Sequence, residues 1–299
     1  MIRTSRSIAC SVLLALLALP PLAAAQQPIS ERHPLAQGGR VEVNNVAGAI
    51  RVVGWDRDEV EIAGTLDEAH RLDVDASANR VSVRVVYPRN RSGGRGTELE
   101  LRVPRGSELR ASSVSASVEV RDVDLARLQA DSTSGRVDVA GRAGEVALNS
   151  VSGGIRARVA TARFSADTVS GQIDAAGGIG GDVAVDTVSG SITLEAEQVQ
   201  QLRGETVSGS MRLRSTGLAP GGRINLETVS GRIGLQLPAD TSAQLRASSF
   251  SGRIESDAGQ VEKPRYGPGS SLRATLGSGD GDIALESFSG SVRVELGAR

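Results

Sequence analysis

Residues 167–192 read DTVSGQIDAAGGIGGDVAVDTVSGSI, so that one unit, Thr-Val-Ser-Gly followed by alternating apolar residues, occurs twice within a short distance. Related Ser-Gly units recur along the chain in steps that are mostly 18 or 19 residues long. A repeat of this length cannot bury a core alone, so its copies must stack on one another. The pattern therefore predicts an all-β protein, a parallel β-helix or β-solenoid.

The repeated pairs form a set that we call the turn ladder. Its members are Ser134, Gly135, Ser152, Gly153, Ser170, Gly171, Ser189, Gly190, Ser208, Gly209, Ser230, Gly231, Ser251, Gly252, Ser289 and Gly290, with Ser115 and Ala116 standing in once. Glycine supplies unusual backbone angles and lets chains approach closely at a corner, and the serines can hydrogen-bond along the stack or to the turn backbone. We expect this ladder to be structural.

Apolar residues occupy fixed positions on both sides of each glycine. In the repeat of Gly171 they are Phe164 and Ala166 before the turn and Ile173 and Ala175 after it. This alternation predicts two strands per repeat, each with one buried face, joined at a corner. The inward parity shifts by one between Leu148 and Val151, which predicts a bend or bulge ahead of Ser-Gly with Val151 on the inner side.

The chain divides into three predicted segments. Residues 1–25 form a signal peptide, 26–110 an irregular β region of degenerate coils or a small β cap, with a first coil near 41–52, and 111–299 the regular repeats. A loop insertion near 257–279 interrupts these repeats, and loops on a rigid scaffold often carry binding groups. Its candidate binding residues are Asp257, Glu262, Lys263, Arg265 and Tyr266.

The N-terminal segment has the features of a secretory signal. It carries Arg3 and Arg6, an apolar run from residue 12 to 19, and a small-residue end that predicts cleavage near Ala25. The only cysteine, Cys10, lies inside this signal, so we expect no disulfide in the mature chain. The sequence thus predicts an exported protein, periplasmic or at the cell surface, with no transmembrane segment in its mature part.

Charge and residue content argue against several classes of partner and reaction. The net charge is -1 with acidic and basic residues well mixed, which predicts no nucleic-acid partner. A serine nucleophile needs a base, and the two histidines, His33 and His70, lie outside the regular repeats. We therefore expect no catalytic residues, no cofactor and no metal site built on Cys or His. Gly277 to Asp282 is similar to the edge of a calcium-binding repeat but occurs once, which favours a simple turn.

A row of acidic residues precedes the turns. Four positions before each glycine or its substitute stand Ser112, Asp131, Asn149, Asp167, Asp186, Glu205, Glu227, Ser248 and Glu286. Carboxylates stacked on adjacent coils repel one another. We expect them at a solvated corner, with cation binding as the alternative.

Three groups of residues together resemble a known family. They are the Thr-Val-Ser-Gly and Ser-Phe-Ser-Gly units, the opening VAGAIRVVGWD of residues 46–56, and LRVPRG of residues 101–106. The chain is similar to the bacterial family of candidate adhesins called domain of unknown function 4097, over about residues 40–296. The resemblance implies a β-solenoid in an exported bacterial protein and supplies no catalytic residues.

Two classes of function fit these features. The first is a non-enzymatic binding, adhesin-like or structural element of the cell envelope, whose partner is an envelope protein or glycan. The second is a carbohydrate-active enzyme, a polysaccharide lyase or hydrolase, that uses acids of the inserted loop. An accessory role in envelope-stress signalling is a third hypothesis. Because stacked strands leave unpaired edges, we also predict that the C-terminal coil is covered by another element or used for end-to-end self-association.

Overall fold

The computed structural model describes residues 26–88, 96–265 and 268–297, and within these ranges the chain forms twenty β-strands and no helix. The strands are β1 (Gln26–Pro34), β2 (Arg40–Asn45), β3 (Gly48–Trp55), β4 (Glu59–Asp67), β5 (Arg71–Ser77), β6 (Arg80–Val86), β7 (Thr97–Pro104), β8 (Glu108–Ser113), β9 (Ser117–Ser132), β10 (Val137–Ser150), β11 (Ile155–Thr168), β12 (Ile173–Thr187), β13 (Ser191–Thr206), β14 (Ser210–Thr228), β15 (Arg232–Pro238), β16 (Ala243–Ser249), β17 (Ile254–Ser256), β18 (Ser270–Leu276), β19 (Gly281–Ser287) and β20 (Ser291–Gly297). The predicted signal segment and Tyr266 lie outside the described residues.

Each long strand from β9 to β14 runs from one Ser-Gly corner, around a bend, to the next corner. Neighbouring strands pair in parallel at equivalent repeat positions, so that Val137 lies beside Ile155 and Val146 beside Phe164. The buried side chains of both halves belong to one apolar core. The fold is a β-solenoid, as the repeats predict. We call a corner, with the strand segments just before and after it, a rung.

The bends fall where the repeats differ in length. Register shifts interrupt the parallel pairing between Val139 and Gly141 and between Ala175 and Ile179. Gly141 and Gly177 have φ values of 141° and 107°, which residues with a Cβ rarely adopt. Differences in length between rungs are therefore accommodated at the bends, while the strand segments on either side keep their register.

The corner itself differs from the sequence-based prediction. Ser150 and Gly153 both face the interior, whereas Val151 and Ser152 between them both face solvent. The parity shift is therefore real but lies within the turn, and the expectation that Val151 points inward is wrong. Two successive outward residues form the outside of the corner because a tight reversal leaves no inner volume for their side chains.

Close approach between rungs explains the glycines of the turn ladder. A Cβ on Gly171 would overlap the carbonyl oxygen of Gly153, and the same holds at each of the other ladder glycines against the neighbouring rung. None of them is among the described residues with positive φ, so an unusual backbone angle is not the reason for glycine here. Of the two roles considered for glycine, the structure shows the close approach.

Hydroxyl groups complete the corner hydrogen bonds. The hydroxyl of Thr168, which is buried, accepts a hydrogen bond from the backbone N–H of Gly171 at 3.0 Å, and the equivalent residue does the same in other rungs. The hydroxyl of Ser134 donates to the carbonyl oxygen of Val114 in the neighbouring rung at 3.1 Å. The corner residues thus satisfy turn groups that strand pairing leaves unpaired.

At the C-terminal end, the order of rungs in space differs from their order in sequence. The last rung, β19 and β20, lies between the rung of β14 and β15 on one side and that of β16 and β17 on the other. Strand β18 then pairs antiparallel with β16 on the outside. The C-terminal coil is therefore covered by another element, one of the two outcomes predicted for it. End-to-end self-association stays a prediction, and at this end it would have to use β17 or β18.

The N-terminal end has the same kind of exchange. The first coil, β2 and β3, lies between the rung of β6 and β7 and the rung of β8 and β9. Beyond β6 and β7, the strands β5, β4 and β1 add antiparallel pairings. The irregular region thus contains both a degenerate coil and a small antiparallel β cap.

Candidate functional site

Four of the five predicted binding residues lie in the described part of the inserted segment. Asp257 begins the segment, where its backbone N–H donates to the carbonyl oxygen of Val294 at 3.3 Å. Glu262 pairs through its backbone with Ser271, so the segment adds an antiparallel bridge to β18. Lys263 and Arg265 are exposed. The second half of the insertion is the strand β18 rather than a loop.

Lys263 contributes to a groove of about 1000 Å³ on the outer face of the strands that follow the corners. The groove spans β13, β14, β15, β20 and β17, which are neighbours in space. Its charged lining residues are Arg212, Arg214, Arg232, Arg253, Lys263 and Arg293, with Glu195, Glu255 and Glu295. We call it the cationic groove, because six positive groups face three negative ones.

A glycine forms the floor of the cationic groove. Gly234 lies on β15 between Arg212 on β14 and Arg293 on β20, each directly beside it in register. Arg232 and Gln236 stand two positions to either side on β15 and point to the same face. A Cβ at position 234 would meet only ordinary contacts, the nearest at 3.7 Å. The absent side chain therefore leaves a depression with arginines on three sides.

The arginines of this depression differ in their ion pairs. Arg293 pairs with Glu255 and lies 3.9 Å from Glu295, and Arg253 lies 3.9 Å from the carboxylate of Glu255. Arg212, Arg214 and Arg232 form none of the ion pairs found in the described part of the chain, nor does Lys263. On the regular rungs, by contrast, Arg156 lies between Asp138 and Asp174 at 3.9 and 3.8 Å. Four of the six cations of the groove are therefore without an ion pair among the described residues.

A second surface runs along the corners. The outward residue before each Ser-Gly is apolar in nine of ten rungs, and exposure among these nine ranges from 42% for Val46 to 57% for Phe288. Backbone bonds between successive corners fix their order in space. In this order the residues, which we call the corner stripe, are Val46, Val114, Thr133, Val151, Val169, Val188, Val207, Val229, Phe288 and Phe250.

The acidic row lies beside the corner stripe. Asp167 and Asp186 are register neighbours on β11 and β12, and Asp186 is the register neighbour of Glu205 on β13. Burial, together with the nearby carboxylates of Asp167 and Glu205, raises the pKa of Asp186 to about 6, against the attraction of Arg203. Burial also raises the pKa of Asp167. The sequence predicted that these carboxylates lie at a solvated corner. The structure differs, because Asp167 and Asp186 are partly buried.

At its C-terminal end the stripe borders a groove of about 780 Å³. Val188, Val207, Val229 and the two phenylalanines line its apolar side, and Asp186, Glu205, Glu227 and Glu286 line the other. Sequence reasoning missed this surface because the parity argument placed the valines inside. The available signal was the repetition of Val or Phe before Ser-Gly, which a merely structural turn does not require.

Within the described residues, neither histidine is hydrogen-bonded to a serine of the turn ladder. His33 bonds Glu31 at 3.0 Å and His70 bonds Thr97 at 3.1 Å, while most of the ladder hydroxyls bond to backbone carbonyls. Among the residues described, no group of three or more His, Cys, Asp or Glu is arranged to hold a metal ion. The hydroxyl of Ser278 donates to Asp280 at 2.7 Å in the turn before β19, at the place of the calcium-like motif.

A search of the described part of the chain for a helix that could span a membrane finds none. None of the curated proteins matches the sequence. The comparison with solved structures finds matches in species of Parabacteroides and Bacteroides. A candidate lipid-binding protein of Parabacteroides distasonis shares 15% identity, with a TM-score of 0.54, and the match covers 89% of this chain and 96% of that one.

Two further matches are candidate adhesins. That of Parabacteroides merdae has 12% identity and a TM-score of 0.40, with 90% of this chain and 96% of that chain covered. That of Bacteroides fragilis has 9% identity and a TM-score of 0.40, with 91% and 98% covered. At these identities, the match to the P. distasonis protein supports the fold alone.

A family model also matches this chain, and this match shows the family and not the fold alone. The model called Toastrack DUF4097 matches residues 37–220 and 92–295, which together take in the corner repeats, the exchanged rungs at both ends and the inserted segment. The chain therefore belongs to the Toastrack DUF4097 family, a family of β-solenoid-like proteins.

Proposed function

We propose that this protein is an exported, non-enzymatic binding element of the bacterial cell envelope, with an adhesin-like role. One observation carries the proposal: the corner stripe exposes apolar side chains at one constant position over nearly every rung. Extended exposed apolar surfaces on soluble proteins mark interaction sites. The signal-like residues 1–25 support export, and a rigid solenoid presents such a surface without rearrangement.

The chemistry of the surface suggests the kind of partner. Val188, Val207 and Val229 offer apolar contacts at a spacing of about 4.8 Å, the distance between paired strands. The parallel row of carboxylates, such as Glu205 and Glu227, adds negative charge along one side. A polypeptide that presents apolar and basic side chains fits this combination best, since charge complementarity selects partners and orients their encounter.

Cell binding by labelled protein tests the role. A fluorescent chain starting at residue 26 is incubated with intact cells and isolated envelopes of the encoding bacterium. The variant V188S/V207S should bind about tenfold more weakly, because the exposed halves of two valines are worth about 1.5 kcal/mol. Val53 is 40% exposed outside the stripe, so V53S serves as the control. Equal binding by both variants would remove the stripe from the proposal.

Two further measurements address export and catalysis. Protease shaving of intact cells, compared with osmotically opened cells, separates a surface location from a periplasmic one, and purely cytoplasmic protein would contradict export. A glycan-degradation screen with D257N/E262Q tests the enzyme alternative. We expect no turnover by the wild-type chain, and turnover that this double variant abolishes would establish the enzyme reading instead.

A further inference from the structure

The cationic groove carries an inference that does not depend on the corner stripe. We propose that it binds an anionic polysaccharide, whose carboxylate or phosphate groups are held by the arginines around Gly234. This goes beyond the binding role proposed above, since it assigns a second surface and a ligand class to it. Three features of the groove support it: the geometry of the depression, the cations without ion pairs and the polar lining.

The depression has the form of an anion site. Arg212 and Arg293 flank Gly234 across the strands, and Arg232 lies beside it along β15. Guanidinium groups bind carboxylate and phosphate oxygens in a bidentate manner. Because the fold accepts a Cβ at Gly234 without a close contact, the backbone does not demand glycine there. The empty position instead gives an anion room between the three arginines.

The spacing of the cations favours a chain of anions over a single small one. Arg212 and Arg293 are two strands apart, and Arg232 and Arg253 are likewise separated by the strand of Ser291. Two strand spacings amount to about 10 Å. A linear polysaccharide with one acid group per disaccharide presents negative charges at comparable intervals. Such a ligand would engage successive arginine pairs along the groove.

The remaining lining suits a saccharide. Ser210, Ser291, Thr193 and Gln236 supply hydroxyl and amide groups that can hydrogen-bond sugar hydroxyls. None of the described residues that line the groove is aromatic, whereas proteins that bind single-stranded nucleic acid stack its bases on aromatic side chains. Three carboxylates also line the groove: Glu255 pairs with Arg293, Glu295 lies 3.9 Å from Arg293, and Glu195 is the register neighbour of Arg214.

Titration calorimetry with defined oligosaccharides tests the assignment. The probes are hyaluronan octasaccharide, with one carboxylate per disaccharide, a phosphodiester-linked oligosaccharide, and the neutral, fully N-acetylated chito-octaose. We expect the wild-type chain to bind at least one of the two anionic probes and not the neutral one. Which anionic probe binds more tightly distinguishes a carboxylated from a phosphorylated source.

Variants locate the site. R212Q/R232Q should weaken binding of the anionic probe about tenfold or more and reduce its salt dependence, because two charge-assisted contacts are lost. The matched control is R136Q/R142Q, which removes two exposed arginines far from the groove that also lack ion pairs. G234E, whose side chain fills the depression with a negative charge, should abolish binding and covers the case in which the double variant is unstable.

Several outcomes would overturn the proposal. These are tight binding of chito-octaose, equal binding by R212Q/R232Q and its control, full binding by G234E, tighter binding of a single-stranded DNA octamer than of either anionic oligosaccharide, or no binding of any probe. Because V188S/V207S leaves the groove intact, it should retain the anionic ligand. Loss of cell binding in that variant with retained ligand binding would separate the two surfaces.

Discussion

The rings of Phe250 and Phe288 stack with their centroids 5.0 Å apart and their planes inclined by 12°. They meet because the last rung in sequence lies directly beneath the rung that precedes it, with the backbone N–H of Ser251 donating to the carbonyl of Phe288 at 2.9 Å. The same exchange places Arg293 beside Gly234. The stacked pair and the cationic groove therefore have a common origin in the order of the last two rungs.

The exchange predicts an unusual pattern of amide protection. Strand β19 pairs with a neighbour on each side, β14 and β16, whereas β18 pairs along its length with β16 alone. In a strand paired on both sides every amide can donate to a neighbouring strand, whereas alternate amides of an edge strand point away from its partner and exchange more readily. Hydrogen exchange followed by mass spectrometry should show slower exchange in peptides of 281–287 than in those of 270–276. Equal rates would argue against the inserted position of the last rung.

Adjacent glycines offer a test of the close approach between rungs. A Cβ at Gly153 would overlap the carbonyl oxygen of Gly135, while one at Gly154 would come no nearer than 3.7 Å to Gln172. We expect G153A to lower the free energy of unfolding by about 2 kcal/mol, as overpacked sites do. G154A should change it by less than about 0.5 kcal/mol. Urea denaturation measures both, and similar values would contradict the ladder's role.

The two faces of a strand give a second pair of variants. Ile173 is fully buried in the core and Gln172 beside it is exposed. An aspartate at 173 would bring an unpaired charge into an apolar interior, so I173D should destabilise by about 4 kcal/mol or more, enough to unfold many domains. Q172D should be nearly silent. Circular dichroism with thermal melts distinguishes them, and equal tolerance would mean that the faces are misassigned.

The acidic row makes stability depend on pH. Because the pKa of Asp186 is raised to about 6, the folded state holds its proton more tightly than the unfolded state does. Stability from this group is therefore fully present below about pH 4, where the carboxyl is protonated in both states, and is lost as the pH rises through about 6. D186N should raise the Tm at pH 7 to 8, with the gain shrinking below about pH 5.

A matched variant controls for the loss of a carboxylate. Asp138 lies on another face, 3.9 Å from the guanidinium of Arg156, so D138N should bring no gain at neutral pH. Asn149 already occupies the acidic row and donates to Asp131 at 2.8 Å, which shows that the row accepts an amide. A Tm difference for D186N that stayed constant from pH 4 to 8 would contradict the raised pKa.

The core could be predicted from the sequence because each buried position repeats. Ile173 and Phe164 follow a spacing that only a stack of equivalent rungs explains, and both are buried. The outward position of Val151 could not be read from alternation, since a tight corner places two successive residues outside. A valine there follows the strand pattern locally while facing solvent.

The order of the rungs was beyond the reach of the repeat pattern. The turns at Gly252 and Gly290 carry the same Ser-Phe-Ser-Gly motif, so either could follow Gly231 in the stack without changing the register. The recurrence of phenylalanine at 250 and 288 alone was a hint that the two turns are neighbours. Consequently, the groove around Gly234 could not be predicted, because Arg293 reaches it only through the exchange.

The exchanged rungs also restrict how the chain can reach its native state. Growth by simple addition of one coil after another is blocked at the C-terminal end, because β16 and β17 find their parallel neighbours only when residues 281–297 arrive. Residues 281–297 must pair with β14 and β15 on one side and with β16 and β17 on the other. The pairing with β14 has a high sequence separation, which slows folding. In the native state, β19 and β20 are paired on both sides, so we expect unfolding to begin at strands other than the last two in sequence.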